Sequence, residues 1–167
     1  GTTVSGRPAD VADAESMVGL LINTVPVRAK LTAATTTAAL LEQLQSAYND
    51  TLEHQHLALN EIHRAVGQDT LFDTFFAYEN YPIETGVPQG DHEFAITDIT
   101  TKESTHYPLT VQAQPGTQLR LRIEYDTAVF DAAAIDALIA RFERVLTTMA
   151  ADPARPVSST DLLDERE

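Results

Sequence analysis

The period of the apolar positions changes several times along the chain, and each change marks an element. Leu20-Leu21-Ile22-Asn23-Thr24-Val25-Pro26-Val27-Arg28 reads as a strand. Pro26 has no N–H for a ladder, so this strand belongs at a sheet edge or is bulged there. Thr35–Glu53 takes the helical period: Leu41, Leu44, Tyr48 and Leu52 share a face, Leu40 and Ala47 widen it, and Thr35 or Thr36 can cap it. A shorter helix is expected from Leu59 to Val66, with Gly67 as its stop. Phe72–Glu79 is dense in aromatics and reads as a strand buried on both faces, ended by Asn80-Tyr81-Pro82. Ile83–Gly90 reads as loop, and Glu93–Thr101 has weak strand character.

Strict alternation follows. Leu109, Val111 and Ala113 point one way, as do Leu119, Leu121, Ile123 and Tyr125, with Pro115-Gly116 between the two runs. That predicts an antiparallel hairpin with one wet face. Asp131–Ala150 is a helix with Ile135, Leu138, Ile139, Phe142, Leu146 and Met149 as its stripe, Asp131 as its cap and Asp152-Pro153 as its close. Residues Ser5 to Asp13 read as loop, and Asp161-Leu162-Leu163 as the start of another short helix. Helices and strands intermingle, so the fold class is α/β: a two-layer mixed sheet with helices.

Composition narrows the functions open to such a fold. The 167 residues suit one domain. There is no cysteine, which removes disulfides, zinc–thiolate sites and thiol catalysis. The net charge of -14 argues against a nucleic-acid binder, which needs a basic face. The acid is spread evenly: residues 1–83 carry 4 basic and 10 acidic side chains, and residues 84–167 carry 7 and 15. It therefore reads as a solvated surface rather than a docking tail. No apolar run approaches a membrane span, and the start lacks the basic and apolar regions of a signal peptide. Gly1-Thr2-Thr3-Val4 begins in strand or loop without a methionine, as a piece of a longer polypeptide would.

Self-sufficient chemistry is hard to find. Val4-Ser5-Gly6 is not a hydrolase nucleophile turn, and the seven glycines never take a phosphate-loop or dinucleotide spacing. His54, His56 and His63, with Glu53 and Glu61, are conceivable zinc ligands. On a helix, however, His54 and His56 would lie about 200° apart, so the expectation is a helix end and linker with no metal. Glu124 and Asp126 read as solvated carboxylates on the polar side of a strand. Tyr78-Glu79-Asn80-Tyr81 places polar atoms at the edge of a core, where binding sites and ordinary strand ends both occur.

Several segments in series carry a family resemblance. Gly1-Thr2-Thr3-Val4-Ser5-Gly6-Arg7-Pro8 resembles a "GxxxSGRP" stretch, and Val18 to Arg28 resembles the "VGxFxNTxPxR" motif that follows it, both from condensation domains of non-ribosomal peptide synthetases. His54-Gln55-His56-Leu57-Ala58-Leu59-Asn60-Glu61-Ile62 is similar to the family's "HQxxPxxxI", with Ala58 where proline is common. Leu71-Phe72-Asp73 through Asn80-Tyr81-Pro82 resembles "LFDxxFxxxNxP", and Leu119 to Phe130 resembles "LxLxxxYDxxxF". The order and spacing correspond to the C-terminal half of that domain. The family's HHxxxDG motif belongs to the other half, and this sequence has no adjacent histidine pair.

The resemblance implies a chloramphenicol-acetyltransferase-like lobe over residues 1–157 and, from 158 to 167, the start of a linker toward an adenylation domain. It implies a complete domain that forms an amide between a carrier-bound acyl donor and an aminoacyl acceptor, and an isolated chain with no catalytic residue of its own. Phosphopantetheine would arrive on carrier domains rather than bind here. The partners implied are the N-terminal lobe, the peptidyl carriers and the downstream adenylation domain, in the cytoplasm, with self-association of the isolated lobe. Ser5, Asn23 and Asn80 become candidates for the substrate tunnel wall, and Arg28 a candidate for a structural salt bridge. The segment Ile83–Thr105 is a candidate for a crossover between lobes. Alternatives are a stand-alone binding or interaction module and, from the same fold family, the corresponding half of an epimerisation or heterocyclisation domain.

Overall fold

The computed structural model describes residues 1–7, 11–79 and 105–163. Asn80, the expected loop at 83–90, the weak strand at 93–101 and all but the last residue of the expected crossover lie outside them. Among the described residues five strands form one mixed sheet: β1 (Thr2–Val4), β2 (Asn23–Val25), β3 (Thr74–Tyr78), β4 (Leu109–Gln114) and β5 (Arg120–Tyr125). Their order is β2-β1-β3-β4-β5. The central pairs β1–β3 and β3–β4 are parallel, and the outer pairs β1–β2 and β4–β5 are antiparallel. The register lines up Val25, Thr2, Phe76, Val111 and Ile123 across all five strands, so their side chains share a face.

Among the described residues three α-helices accompany the sheet: α1 (Thr37–Thr51), α2 (Leu59–Val66) and α3 (Ala132–Ala151). Each boundary has a local cause. Thr36 is extended, and its Oγ1 accepts from Ala39 N at 3.1 Å. The first two N–H groups of α1 donate outside the helix, from Thr37 to Arg155 O at 3.3 Å and from Ala38 to Pro153 O at 2.9 Å. With the Thr36 cap, these bonds satisfy the orphan donors of Thr37, Ala38 and Ala39, and Leu40 N to Thr36 O at 2.9 Å begins the helix's own ladder. The turn after α3 is thus the cap of α1. Val157 N–H to Thr35 O at 2.8 Å and Ser158 Oγ to Ala33 O at 2.8 Å extend the attachment. Asp131 Oδ1 caps α3 by accepting from Ala134 N at 2.7 Å. Gly67 ends α2 in the left-handed region at φ 71°.

The expected stripe of α3 is the shielded one: Ile135 is buried, and Leu138, Ile139, Phe142, Leu146 and Met149 are half-buried. Pro26 does follow an edge strand, but that strand is only Asn23–Val25 rather than Leu20–Arg28. Val18 and Leu20 stand almost wholly in solvent, with no neighbour among the described residues to cover them. No short helix forms at Asp161–Leu163.

Two expectations about faces need correcting. β3 has neighbours on both edges but is not buried on both faces: Phe76 is 38 % and Tyr78 55 % exposed. The cause at Phe76 is that α1 stands off this part of the sheet and leaves a recess of about 780 Å³, which Phe76 helps to line. Tyr78 opens instead on a second recess at the end of the strand. The polar side of the β4–β5 hairpin is not simply wet either. Thr110 on that side is fully buried, and its hydroxyl shares a 2.7 Å hydrogen bond with Thr105 Oγ1. Tyr107 stacks on Phe75 with ring centroids 5.3 Å apart, so residues 105–107 fold back over the strand ends.

Candidate functional site

The polar residues nearest the apolar strand ends gather where β1 leaves the sheet. Ser5 follows β1 directly and is exposed. Gly6 next to it has φ 64°, and a Cβ there would meet Leu21 O at 2.0 Å and Asn23 Cβ at 3.2 Å. Only glycine lets the two backbones approach this closely at that dihedral. Arg7 then turns inward and donates from one guanidinium nitrogen to Ala14 O and to Met17 O, the latter at 3.1 Å. Those bonds pin the short 3-10 helix Ala14–Ser16 against the strand. The sequence Ser-Gly-Arg is thus a hydroxyl, a close approach and an anchor in a row.

These residues border a recess of about 580 Å³, with Ser5, Arg7, Leu21, Tyr48 and Tyr78 among its walls. Tyr78 places the end of β3 there, two residues before Asn80. Among the described residues, Ser5 Oγ has no hydrogen-bond partner and no base is bonded to it. The described surface offers shape and a hydroxyl.

Asn23 takes a different part. Its Nδ2 donates to Gln55 O at 2.8 Å and to Leu57 O at 2.6 Å, and its Oδ1 accepts from Thr24 N at 2.9 Å. The amide is fully committed to backbone and clasps the edge strand to the turn between α1 and α2. Gln55 beside it is 5 % exposed, and its Nε2 has no partner among the described residues. Arg28 lies apart, exposed on the wall of the larger recess, and makes no ion pair among the described residues.

Three features escape the sequence reading. Arg7 reads there as loop, although Ser5-Gly6-Arg7 is itself the signal. Gln55 reads as helix end, although it sits between two exposed histidines as the one buried residue. His106, Arg122, Glu124 and Asp126 line a recess of about 550 Å³ beside Tyr107. There Arg122 pairs with Glu124 at 2.7 Å, so Glu124 is engaged and half-buried rather than merely solvated. Burial pushes the Tyr107 phenol above its usual value of 10.0. Among the described residues, no group of three histidine or carboxylate side chains converges to hold a metal. No described helix is long and apolar enough to cross a membrane.

Comparison with known proteins matches this geometry to one group. The family model for the condensation domain matches residues 1–167. Surfactin synthase subunit 3 of Bacillus subtilis is 36 % identical over 169 residues, covering 100 % of this chain and 13 % of that protein. Vanchrobactin synthetase VabF of Vibrio anguillarum is 38 % identical over 163 residues, with 97 % and 6 % covered. The chain therefore spans only a small part of these relatives. Among solved structures, the first condensation domain of the CDA synthetase superposes with TM-score 0.75 at 20 % identity, covering 98 % of this chain and 37 % of that one. The four-domain nonribosomal peptide synthetase AB3403 superposes with TM-score 0.80 at 19 % identity, covering 98 % and 14 %.

Proposed function

Because the chain belongs to the condensation-domain family, we propose that it is the C-terminal lobe of such a domain from a non-ribosomal peptide synthetase. The observation that carries this is the coverage: 98 % of the chain fits a solved condensation domain of which it makes up only 37 %. The sequence motifs that run in series along the chain supply the direction, since they correspond to the domain's second half. The absence of an adjacent histidine pair agrees with it.

In the complete domain an acceptor amine attacks the thioester carbonyl of a carrier-bound donor. A C–N bond forms, the C–S bond breaks, and the amine's proton ends on the departing thiol or solvent. Holding two tethered reactants in line removes much of the entropic barrier. This lobe contributes a wall. Ser5 faces the recess at the end of β1, and Asn80 follows the strand end that borders it. Asn23 acts behind the wall by fixing the edge strand. Arg28 keeps its place as the candidate for a structural salt bridge in the complete domain. Residues 158–167 lead toward an adenylation domain, the crossover lies in 83–105, and phosphopantetheine arrives on the carriers. A cytoplasmic location goes with that reading.

The test is reconstitution. The chain alone, given a loaded donor carrier and a loaded acceptor carrier, yields no peptidyl-carrier product. The same chain joined to the part of its domain that holds the HHxxxDG motif yields product. Product from the chain alone, or a gene that starts independently at this point, overturns the reading. An interaction module is the second reading. It is favoured by a neighbour of the same fold, the X-domain solved in complex with OxyB, at TM-score 0.73 and 20 % identity. A joined domain that binds carriers yet never forms amide would select it.

A further inference from the structure

The recess at the end of β1 differs from the rest of the molecule in its charge and in its unmet hydrogen bonds. The chain carries 25 acidic against 11 basic residues. Yet among the described residues no carboxylate lines this space of about 580 Å³. The recess beside Tyr107, by contrast, has Glu124 and Asp126 in its wall. Arg7 stands on the wall here. One of its guanidinium nitrogens is held by Ala14 O and Met17 O, and no ion pair among the described residues cancels its charge.

The residues Ser5, Tyr48 and Tyr78 bring hydroxyls to the same space. None of those hydroxyls has a hydrogen-bond partner among the described residues. Tyr48 comes from α1 and Tyr78 from the end of β3, and they are 47 % and 55 % exposed. A phenol is a rigid donor that loses little entropy when it bonds a ligand. A hydroxyl can also accept, so the hydroxyls alone do not set the ligand's chemistry. The uncancelled guanidinium does: positive charge beside them favours a group that brings oxygen acceptors and disfavours an ammonium. Leu21 and Ile22 add an apolar side to the lining.

We propose that this recess reads the side chain of the acyl group under condensation, that it selects side chains bearing a carbonyl oxygen (a carboxamide or a carboxylate), and that Tyr78 is a specificity-determining residue. The inference rests on the reading of the chain as part of a condensation domain. Arg7 also pins the 3-10 helix Ala14–Ser16, so its variants disturb the fold. The Tyr78 hydroxyl bonds nothing among the described residues and is free to serve a ligand. A ligand without the acceptor strips water from these donors and returns no bond, which is what makes such a site selective.

The test is a competition in the complete domain. One arm supplies a single acyl donor and two acceptor carriers, loaded with asparaginyl and leucyl groups, which match in size and differ in the carboxamide. The other arm places the same pair on the donor carrier, so the arms separate the two sources of the side chain. The product ratio reads the ratio of kcat/KM. In one arm the asparaginyl product is expected to lead by about tenfold or more. Tyr78→Phe is expected to bring that ratio close to one while the leucyl product forms at an unchanged rate. Equal products in both arms overturn the proposal. So does a Y78F domain that keeps the ratio. A Y78F domain that lowers both products alike overturns it too, because the hydroxyl then serves something common to both substrates. If Y78F does not fold, the unsubstituted domain's ratio and Tyr48→Phe decide. A domain that forms amide without the preference rejects this inference alone, whereas one that forms no amide from either substrate rejects the function.

Discussion

Gly6 and Asn23 show how much structure rests on two small residues at the end of β1. At Gly6 a methyl group would run into Leu21 O at a dihedral that L-residues rarely adopt. Gly6→Ala is therefore expected to cost about 2 kcal/mol or more, measured as a lowered urea midpoint with unchanged slope. Asn23→Ala removes three hydrogen bonds and leaves the part-buried Gln55 carbonyl and the more exposed Leu57 carbonyl without their donor. About 2 kcal/mol is expected. Asn23→Asp discriminates here, because a carboxylate still accepts from Thr24 N but cannot donate to Gln55 O or Leu57 O. If Asp retained full stability, the clasp would have no energetic role. At Ser5, a candidate for the tunnel wall, the expectation concerns substrate positioning rather than stability. Ser5→Val in the complete domain lowers turnover about tenfold, or about 1.4 kcal/mol of barrier, with little change in the melting temperature.

Among the elements, the helices are legible in the sequence and the strands only in outline. α2 occupies the range that its periodicity and Gly67 set, and α1 and α3 begin at the Thr36 and Asp131 caps. Caps and stripes are local, so they can be read along the chain. The strand expected at Leu20–Arg28 shrinks to Asn23–Val25 because pairing, not apolar content, decides where a strand ends. The aromatic run of β3 suggests burial on both faces because sequence shows that a surface is apolar without showing what covers it. The same limit applies to the candidate site. The Ser5–Arg7 turn is visible as a motif, but the pairing of Asn23 with the Gln55 turn spans 32 positions and has no local signature. A titration belongs at this scale. With the Gly1 amino pKa depressed in the fold, the unfolded chain holds more protons in the window ending near 8.0, so stability rises with pH there. Acetylating the amino terminus should flatten that rise in melts run across the window. A curve that acetylation leaves unchanged would assign the rise to other groups.

At the scale of the whole molecule, two properties pull against each other. Buried apolar residues number only four among those described: Val4, Ala14, Ala113 and Ile135. Large apolar side chains such as Val18, Leu20, Ile22 and Val27 are more than half exposed around the edge strand. A surface of that kind drives association. Against it stands the net charge of -14, which makes like molecules repel. The balance depends on salt, because the Debye length falls from about 30 Å at 0.01 M to about 3 Å at 1 M. The isolated chain is therefore expected to sediment as a monomer at low ionic strength and to associate as salt is added. That is the reverse of an assembly held by ion pairs. Leu20→Ser together with Val18→Ser should remove most of the salt-driven association and leave the fold intact, since neither side chain packs on the body. Association that weakens as salt rises, or that survives both substitutions unchanged, would place the contact somewhere other than the lead-in to β2.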